Sequence, residues 1–388
     1  MVEARVAGVG LTRFGEFPER AGRDLFAEAS IAALEDAGIP PSAVESLFYA
    51  NFMGELAEHQ GHQGPLMAEA AGLNAPATRF EVACASSGVA VRNAVQRIRA
   101  GQADVMLVGG MERMTNLGTA GATEALSIAA DDLWEVKAGM TFPGAYALMA
   151  RAYFEDYGGS REDLAAIAVK NHENALDNDN AQYQKSISVE EVLEAPAVSD
   201  PLGLYDACPI TDGASALVLV SDEYARSHDV DAFVAVTGTG QGGDRTALHD
   251  REYLSRTPAA DRAGREAYDD AGIGPDDVDL AEVHDCFTIA EVLALESLGT
   301  YEPGEAISAA RNGETTCEGV LPVNLSGGLK AKGHPVGATG ASQLVELTKL
   351  LGGDHVNCEH VADATCGVAH NAGGTVASCV VHVLEVAE

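Results

Sequence analysis

One internal echo constrains this chain more than any other feature. Residues 33–44 read Ala-Leu-Glu-Asp-Ala-Gly-Ile-Pro-Pro-Ser-Ala-Val, and residues 267–278 read Ala-Tyr-Asp-Asp-Ala-Gly-Ile-Gly-Pro-Asp-Asp-Val. In each copy a helix ends at an alanine, a glycine stands at the C-cap and a turn leads to a strand. The strands are expected near Ser46–Ala50 and near Leu280–Val283. Such a repeat implies a duplicated α/β unit packed as two similar halves. A length of 388 residues also fits at least two domains, at about 150 residues each.

Strands and helices alternate around the echo. Val105–Val108 is a short apolar run closed by Gly109 and Gly110, as in a buried strand. Val91, Val95 and Ile98 recur at helical spacing, and Gly101 follows as a stop. Val376–Leu384 reads as a further strand. Residues 116–205 are less regular, with polar stretches such as Asn178-Asp179-Asn180, and read as an inserted loop domain. The expected division is 1–115 with 206–247 as the first half, 116–205 as the insertion and 248–388 as the second half.

Composition bears on compartment and partners. Asp and Glu number 59 against 24 Lys and Arg, a formal net charge of −35, and 46% of the chain is hydrophobic. A carboxylate-rich surface stays hydrated in concentrated salt, where its self-repulsion is screened, so a halophilic source is expected. Such a surface disfavours nucleic acid. It also repels anions at long range, so a site for one needs local Lys or Arg. No apolar run approaches the ~18 residues that span a bilayer. The opening Met1-Val2-Glu3-Ala4-Arg5 lacks the pattern of a signal peptide, and a cytoplasmic protein without membrane contact is expected. Seven cysteines, an odd number, point to reduced thiols rather than a disulfide framework.

Four loops carry candidate chemistry. Phe80-Glu81-Val82-Ala83 is strand-like, and Cys84-Ala85-Ser86-Ser87-Gly88 opens a helix. Free N–H groups at that helix start are expected to lower the thiol pKa and to bind an oxyanion, although a lone cysteine is as often a buried structural thiol. Gly327 to Gly340 is a glycine-dense loop holding Lys330, Lys332 and His334, with Pro335 fixing the histidine backbone in an extended form. There His334 is a candidate general base. Glu282-Val283-His284-Asp285-Cys286-Phe287 follows the second repeat strand, at a strand end where α/β folds place their active residues. Cys366-Gly367-Val368-Ala369-His370-Asn371-Ala372-Gly373-Gly374 is the fourth.

In this order on a duplicated α/β chain, the loops resemble those of the thiolase superfamily nearly end to end. Cys84-Ala85-Ser86 is similar to the family's Cys-x-Ser nucleophile motif, Gly109 to Met114 to its Gly-Gly-Met-Glu-Ser-Met strand end, and Asn324 to Gly340 to its Gly-His-Pro signature. His284–Phe287 matches the His-Asp-Cys-Phe of the archaeal and sterol-carrier-protein-type branch, as do Phe142-Pro143-Gly144 and Lys170-Asn171-His172. The resemblance implies an α/β thiolase fold, two duplicated halves in five α-β-α-β-α layers, with the inserted loop domain binding CoA. It implies reversible Claisen condensation of two acyl-CoA, for example two acetyl-CoA to acetoacetyl-CoA, through an acyl-cysteine at Cys84. His334 would take the thiol proton, and His284 with His334 would hold the thioester oxygen of the second acyl-CoA. The Cys84 turn with Gly373 and Gly374 would stabilise the oxyanion, and Ser326, Lys330 and Lys332 would meet CoA. Many thiolases carry a second catalytic cysteine in a C-terminal Cys-x-Gly motif, whereas this chain reads His370-Asn371-Ala372-Gly373-Gly374. The resemblance therefore moves the acid/base role to Cys286, with Cys366, in the loop of His370, as its competitor. No cofactor beyond the CoA thioester and no metal are implied. The implied partners are a second copy in a homodimer or homotetramer, a small OB-fold zinc-ribbon protein and hydroxymethylglutaryl-CoA synthase.

Rival readings remain at this level. Cys358, His360, Cys366 and His370 are potential zinc ligands, but they lack the paired Cys-x₂₋₄-Cys of common zinc modules. Gly238-Thr239-Gly240-Gln241-Gly242-Gly243 matches a dinucleotide-binding glycine pattern after the strand Ala232–Val236, yet no clear amphipathic helix follows. A ketosynthase or a hydroxymethylglutaryl-CoA synthase would share the nucleophile and the fold. A partner-dependent subunit of an acyl-CoA channelling complex is the non-catalytic alternative.

Overall fold

The computed structural model describes residues 2–387. The chain begins β1 (Ala4–Leu11), α1 (Gly22–Ala37), β2 (Ser46–Ala50), α2 (Gly54–Ala57), α3 (Gln63–Ala70), β3 (Ala77–Phe80), α4 (Ser86–Arg99) and β4 (Val105–Glu112). Between β4 and the next long strand lie α5 (Gly118–Ser127), α6 (Phe142–Tyr157), α7 (Arg161–Asn174), α8 (Val189–Glu194) and the short pair β5 (Ala197–Ser199) and β6 (Leu202–Gly203). Then follow β7 (Gly213–Ser221), α9 (Asp222–His228), β8 (Val234–Gly243), α10 (Pro258–Ala271), β9 (Leu280–Val283), α11 (Thr288–Ser297), α12 (Ala306–Arg311), α13 (Thr339–Gly352), β10 (Cys366–Gly373) and β11 (Ser378–Val386).

Nine strands form one continuous sheet in the order β3-β2-β4-β7-β1-β8-β11-β10-β9. Read outward from the β1–β8 seam, the two sides repeat each other: β1 matches β8, β7 matches β11, β4 matches β10 and β2 matches β9. The fifth place, filled by β3 on one side, is taken on the other by the single parallel bridge from Val323 to Ala281. The echoed helix ends are those of α1 and α10, each capped by a left-handed glycine, Gly38 at φ 63° and Gly272 at φ 78°.

Alternation along the strands separates three apolar layers. In β4, Val105 and Leu107 face the α1 side, whereas Met106 and Val108 face the central layer. The central layer is built on α4 and α13, which pack against each other and against both halves of the sheet. α10, α11 and α6 cover the far side of the second half. The result is helix, sheet, helix, sheet, helix.

The glycines of β8 explain the dinucleotide-like pattern. A Cβ at Gly238, Gly240 or Gly242 would lie 2.2, 2.0 or 1.9 Å from the carbonyl oxygens of Ala267, Ala263 and Ala259 on α10. In the first half, a Cβ at Gly8 or Gly10 would meet the carbonyls of Ala33 and Ala29 on α1 at 2.3 and 1.9 Å. These glycines let a helix lie directly on a strand, and the stretch is a packing stripe in both copies.

The segment between β4 and β7 is more regular than its sequence implied. α6 starts at Thr141, whose hydroxyl accepts from Gly144 N, and α7 at Ser160, which accepts from Asp163 N. Their apolar faces join the outer apolar layer of the second half through α11.

Candidate active site

Cys84 stands in the reversal between β3 and α4. Ala83 adopts φ 48°, a left-handed conformation that costs a non-glycine residue free energy. Ser86 holds the reversal. Its hydroxyl accepts from Val82 N at 2.8 Å and donates to the carbonyl of Ala83 at 2.5 Å, the physical content of the Cys-x-Ser pattern. The two-fold counterpart of this reversal is the loop from Val323 to α13, which carries His334. Nucleophile and candidate base thus occupy equivalent places in the two halves. His284 follows β9 at the end of its strand.

These three residues converge. The Cys84 sulfur and one ring nitrogen each of His284 and His334 all lie within 4.8 Å of one another, and the two rings meet edge to face at 4.9 Å. Both histidines are buried, at 1% and 5% exposure. Asn371 on β10 joins the site through its side-chain amide, which donates to the carbonyl of Cys84 at 3.0 Å and to Nδ1 of His284 at 3.2 Å. With Nδ1 accepting, the hydrogen of His284 sits on Nε2, which has no partner among the described residues. The site therefore contains a buried N–H donor awaiting an acceptor. A metal would need a lone pair there, so this tautomer favours an oxygen over a cation.

Electrostatics oppose the low thiol pKa expected from the helix start. Burial pushes the Cys84 thiol up to about 12, and the carboxylates of Glu112 and Glu81 add to that rise, while the backbone N–H groups of Gly374 and of Cys84 itself pull the other way. Burial also lowers His334 to about 3 and His284 well below the usual histidine range. The resting pair is therefore a neutral thiol beside a neutral imidazole, and the thiolate arises only by proton transfer between them.

The remaining motif residues fix the loops. Glu112, at the end of β4, accepts from Phe52 N at 2.8 Å, Met53 N at 3.1 Å and Gly337 N at 3.0 Å, tying the first half to the loop of His334. Asp285 accepts from Leu329 N at 2.6 Å and Lys330 N at 3.2 Å, and from the Asn171 amide at 2.7 Å. Lys170 pairs with Glu291 at 2.5 Å. His370 faces the side of β10 opposite Asn371, and its Nδ1 accepts from His284 N at 3.4 Å. Gly373 passes so close to the Cys84 turn that a Cβ would lie 2.6 Å from the Val82 carbonyl. The Gly374 carbonyl accepts from the Tyr146 hydroxyl at 3.0 Å, and Tyr146 stacks on Phe287 at 4.7 Å. Cys286, beside that hydroxyl, is buried and its thiol is held well above the usual range by burial.

Several expected residues lie elsewhere. Cys366 begins β10, seven residues before Gly373, which places it about 23 Å along the strand from the site at ~3.3 Å per residue. It cannot compete with Cys286 as a base. The same strand separates Cys366 from His370, so the rival zinc quartet is not assembled. Lys332 is buried with its ammonium 3.3 Å from Glu346, and both Ser326 N and its hydroxyl bind the Glu282 carboxylate at 2.9 and 2.6 Å. Neither is free to meet CoA. Lys330 is also buried, with its ammonium 5.8 Å over the Tyr205 ring. Asn371, Thr339 and Tyr146 were given no role at the sequence level. Asn371 and Thr339 stand inside motifs already singled out, and Tyr146 follows Phe142-Pro143-Gly144 by two residues on the same helix.

Comparison with known proteins accords with this geometry. Residues 2–223 match the family model for the thiolase N-terminal domain, and residues 240–386 that for the thiolase C-terminal domain-like region. The chain belongs to the thiolase family. It is 41% identical over 384 residues to an acetyl-CoA acetyltransferase of Methanothermobacter thermautotrophicus, covering 99% of both chains. It is 31% identical to sterol carrier protein 2 of Rattus norvegicus, covering 95% of this chain and 69% of that one. Among solved structures it is similar to an Ltp2-ChsH2(DUF35) aldolase, with a TM-score of 0.84 and 27% identity over 99% of this chain and 98% of that one.

Proposed function

We propose that the chain is an acetyl-CoA C-acyltransferase that joins two acyl-CoA molecules, or cleaves a 3-oxoacyl-CoA, through an acyl-thioester on Cys84. One observation carries this reading: Cys84, His284 and His334 lie within 4.8 Å, with one imidazole able to accept a proton and the other presenting an unpaired N–H. His334 takes the Cys84 proton and the thiolate attacks the acyl-CoA carbonyl. The N–H groups of Cys84 and Gly374 face the developing oxyanion. The departing CoA thiolate takes the proton of Cys286. The Cys286 thiolate then removes the α-proton of a second acyl-CoA, whose thioester oxygen is held by His284 Nε2–H and the protonated His334. The carbanion attacks the acyl-enzyme, and Cys84 leaves with the proton returned by His334. Each general acid/base group is worth roughly 10²–10⁴ in rate.

The exposed edge of β3 supports a homodimer or homotetramer, since an unpaired edge strand is normally covered. The similarity to an Ltp2-ChsH2(DUF35) aldolase supports an auxiliary partner protein. Incubation with acetyl-CoA followed by peptide mass spectrometry tests the central claim. An acetyl group on Cys84, absent from Cys84→Ala together with acetoacetyl-CoA thiolysis, is expected. Thiolysis retained by Cys84→Ala would reject it.

A further inference from the structure

Resting on that reading, the oxyanion contact raises a question of aim. The Gly374 N–H that faces Cys84 belongs to the same peptide as the Gly373 carbonyl, and that carbonyl accepts from Ala377 N at 3.1 Å. Closure of the turn between β10 and β11 therefore sets the direction of the donor. The turn is not relaxed. Gly374 adopts φ 63° and Val376 φ 64°. The left-handed region suits the glycine, but it costs a β-branched residue free energy, so contacts from outside the turn must hold the valine there.

Arg251 supplies those contacts. It stands in the loop between β8 and α10, outside every motif of the site. One terminal nitrogen of its guanidinium donates to the Thr375 carbonyl at 2.5 Å, and the other donates to the Thr375 hydroxyl at 2.9 Å. Its Nε donates to the Arg245 carbonyl at 2.9 Å. The loop that carries it is anchored in turn. The buried carboxylate of Glu135 accepts from Leu248 N at 2.5 Å, and Asp244 N donates to the Ala377 carbonyl at 2.8 Å. The Tyr146 hydroxyl meanwhile holds the Gly374 carbonyl at 3.0 Å. Residues 374 and 375 are thus gripped by two side chains from distant parts of the chain.

We propose that Arg251 is a positioning residue for acyl transfer: its fork on Thr375 keeps the strained turn closed and so aims the Gly374 N–H at the oxyanion formed on Cys84. It touches no reacting atom. An arginine suits the task because its planar fork reaches two acceptors of one residue at once, which a lysine cannot do. In the step it serves, the Cys84 sulfur bonds to the acyl carbon and the carbonyl electron pair moves onto oxygen. Collapse of that oxyanion breaks the bond to the CoA sulfur and expels the thiolate. The guanidinium keeps its protons throughout.

The test compares two reactions of one thiol. Acetyl transfer from acetyl-CoA to Cys84 builds an oxyanion, whereas alkylation of Cys84 by iodoacetamide displaces iodide at a saturated carbon and builds none. In Arg251→Met the rate of acetyl adduct formation is expected to fall ~10²-fold, the scale of a small misplacement of a reacting group, while alkylation at fixed pH and the KM for acetyl-CoA stay within about threefold of the parent. Thr375→Val keeps the carbonyl and loses the hydroxyl acceptor, and should lower acylation about tenfold, the effect of one hydrogen bond. Arg251→Lys should recover part of the loss. If Arg251→Met does not fold, the same comparison in Thr375→Val decides. Acylation at the parent rate in either variant would overturn the proposal. So would an equal fall of acylation and alkylation, the mark of a disturbed thiol rather than a misaimed donor. A parent that is alkylated yet forms no acetyl adduct would instead sink the acyl-cysteine reading, and the positioning role with it.

Discussion

The hydroxyl of Thr339 lies 2.7 Å from Nδ1 of His334 and donates its own hydrogen to the Pro335 carbonyl at 3.0 Å. A hydroxyl has one hydrogen, so the histidine must donate from Nδ1 and present a lone pair at Nε2. A threonine at the start of α13 thereby sets the tautomer needed for a base. Thr339→Val keeps the shape and removes this instruction. Losing a buried hydrogen bond costs about 1–3 kcal/mol, so a ~10–10² drop in kcat for thiolysis is expected with the thermal midpoint little changed. An unaltered kcat would show that the tautomer is fixed by something else.

The neutral resting thiol has a pH signature. With the Cys84 pKa pushed up to about 12 by burial, the thiolate fraction of the free enzyme rises about tenfold per pH unit through neutrality. Alkylation of Cys84 by iodoacetamide should follow that slope from pH 7 to 9 without a plateau. A plateau near pH 7 would mean that the thiolate is already formed at rest.

The two candidate bases are separated by position. Cys286→Ala is expected to lower condensation by roughly 10²–10⁴, whereas Cys366→Ala, at the far end of β10, should leave kcat within about twofold. Steady-state rates of the two purified variants decide this, and the reverse pattern would contradict the placement of β10.

Glu346 sits in the central layer between Lys332 at 3.3 Å and His355 at 3.4 Å. Burial works against its ionisation, but Lys332 and His355 outweigh it and hold the carboxyl well below the usual range. A depressed native pKa contributes stability that is present above the unfolded value, near 4.3, and fades as pH falls below it. Glu346→Gln should lose about 3–5 kcal/mol at pH 7 in urea unfolding, because Lys332 is left buried and unpaired. The variant should also lose part of the wild-type decline below pH 4.5. Equal stability of the two proteins at pH 7 would refute the pairing.

The echo around Gly38 and Gly272 exposed the duplication because helix caps and turns are local features, written in a few adjacent residues. Cys84, His284 and His334 were legible for a similar reason, since each stands in a short loop at the end of a strand. Properties that depend on three-dimensional surroundings were not. Lys332 reads as a cation in a glycine loop, and only the fold reveals Glu346 behind it. Cys366 and Gly373 are seven residues apart in sequence, and an extended strand turns that interval into the full depth of the sheet. The thiol of Cys84 lies at a helix start, which predicts a lowered pKa, but the amount of apolar material around it reverses the sign. Gly238 to Gly243 matched a nucleotide pattern because a strand pressed against a helix needs small residues at the same alternate spacing.

The matched placement of Cys84 and His334 in the two halves has a consequence during synthesis. The nucleophile leaves the ribosome 250 residues before its base, and the partial chain carries a sulfur with no imidazole to deprotonate it. Acid–base assistance is thus withheld until the last layers close, and a nascent or truncated polypeptide holds an ordinary thiol rather than the catalytic pair.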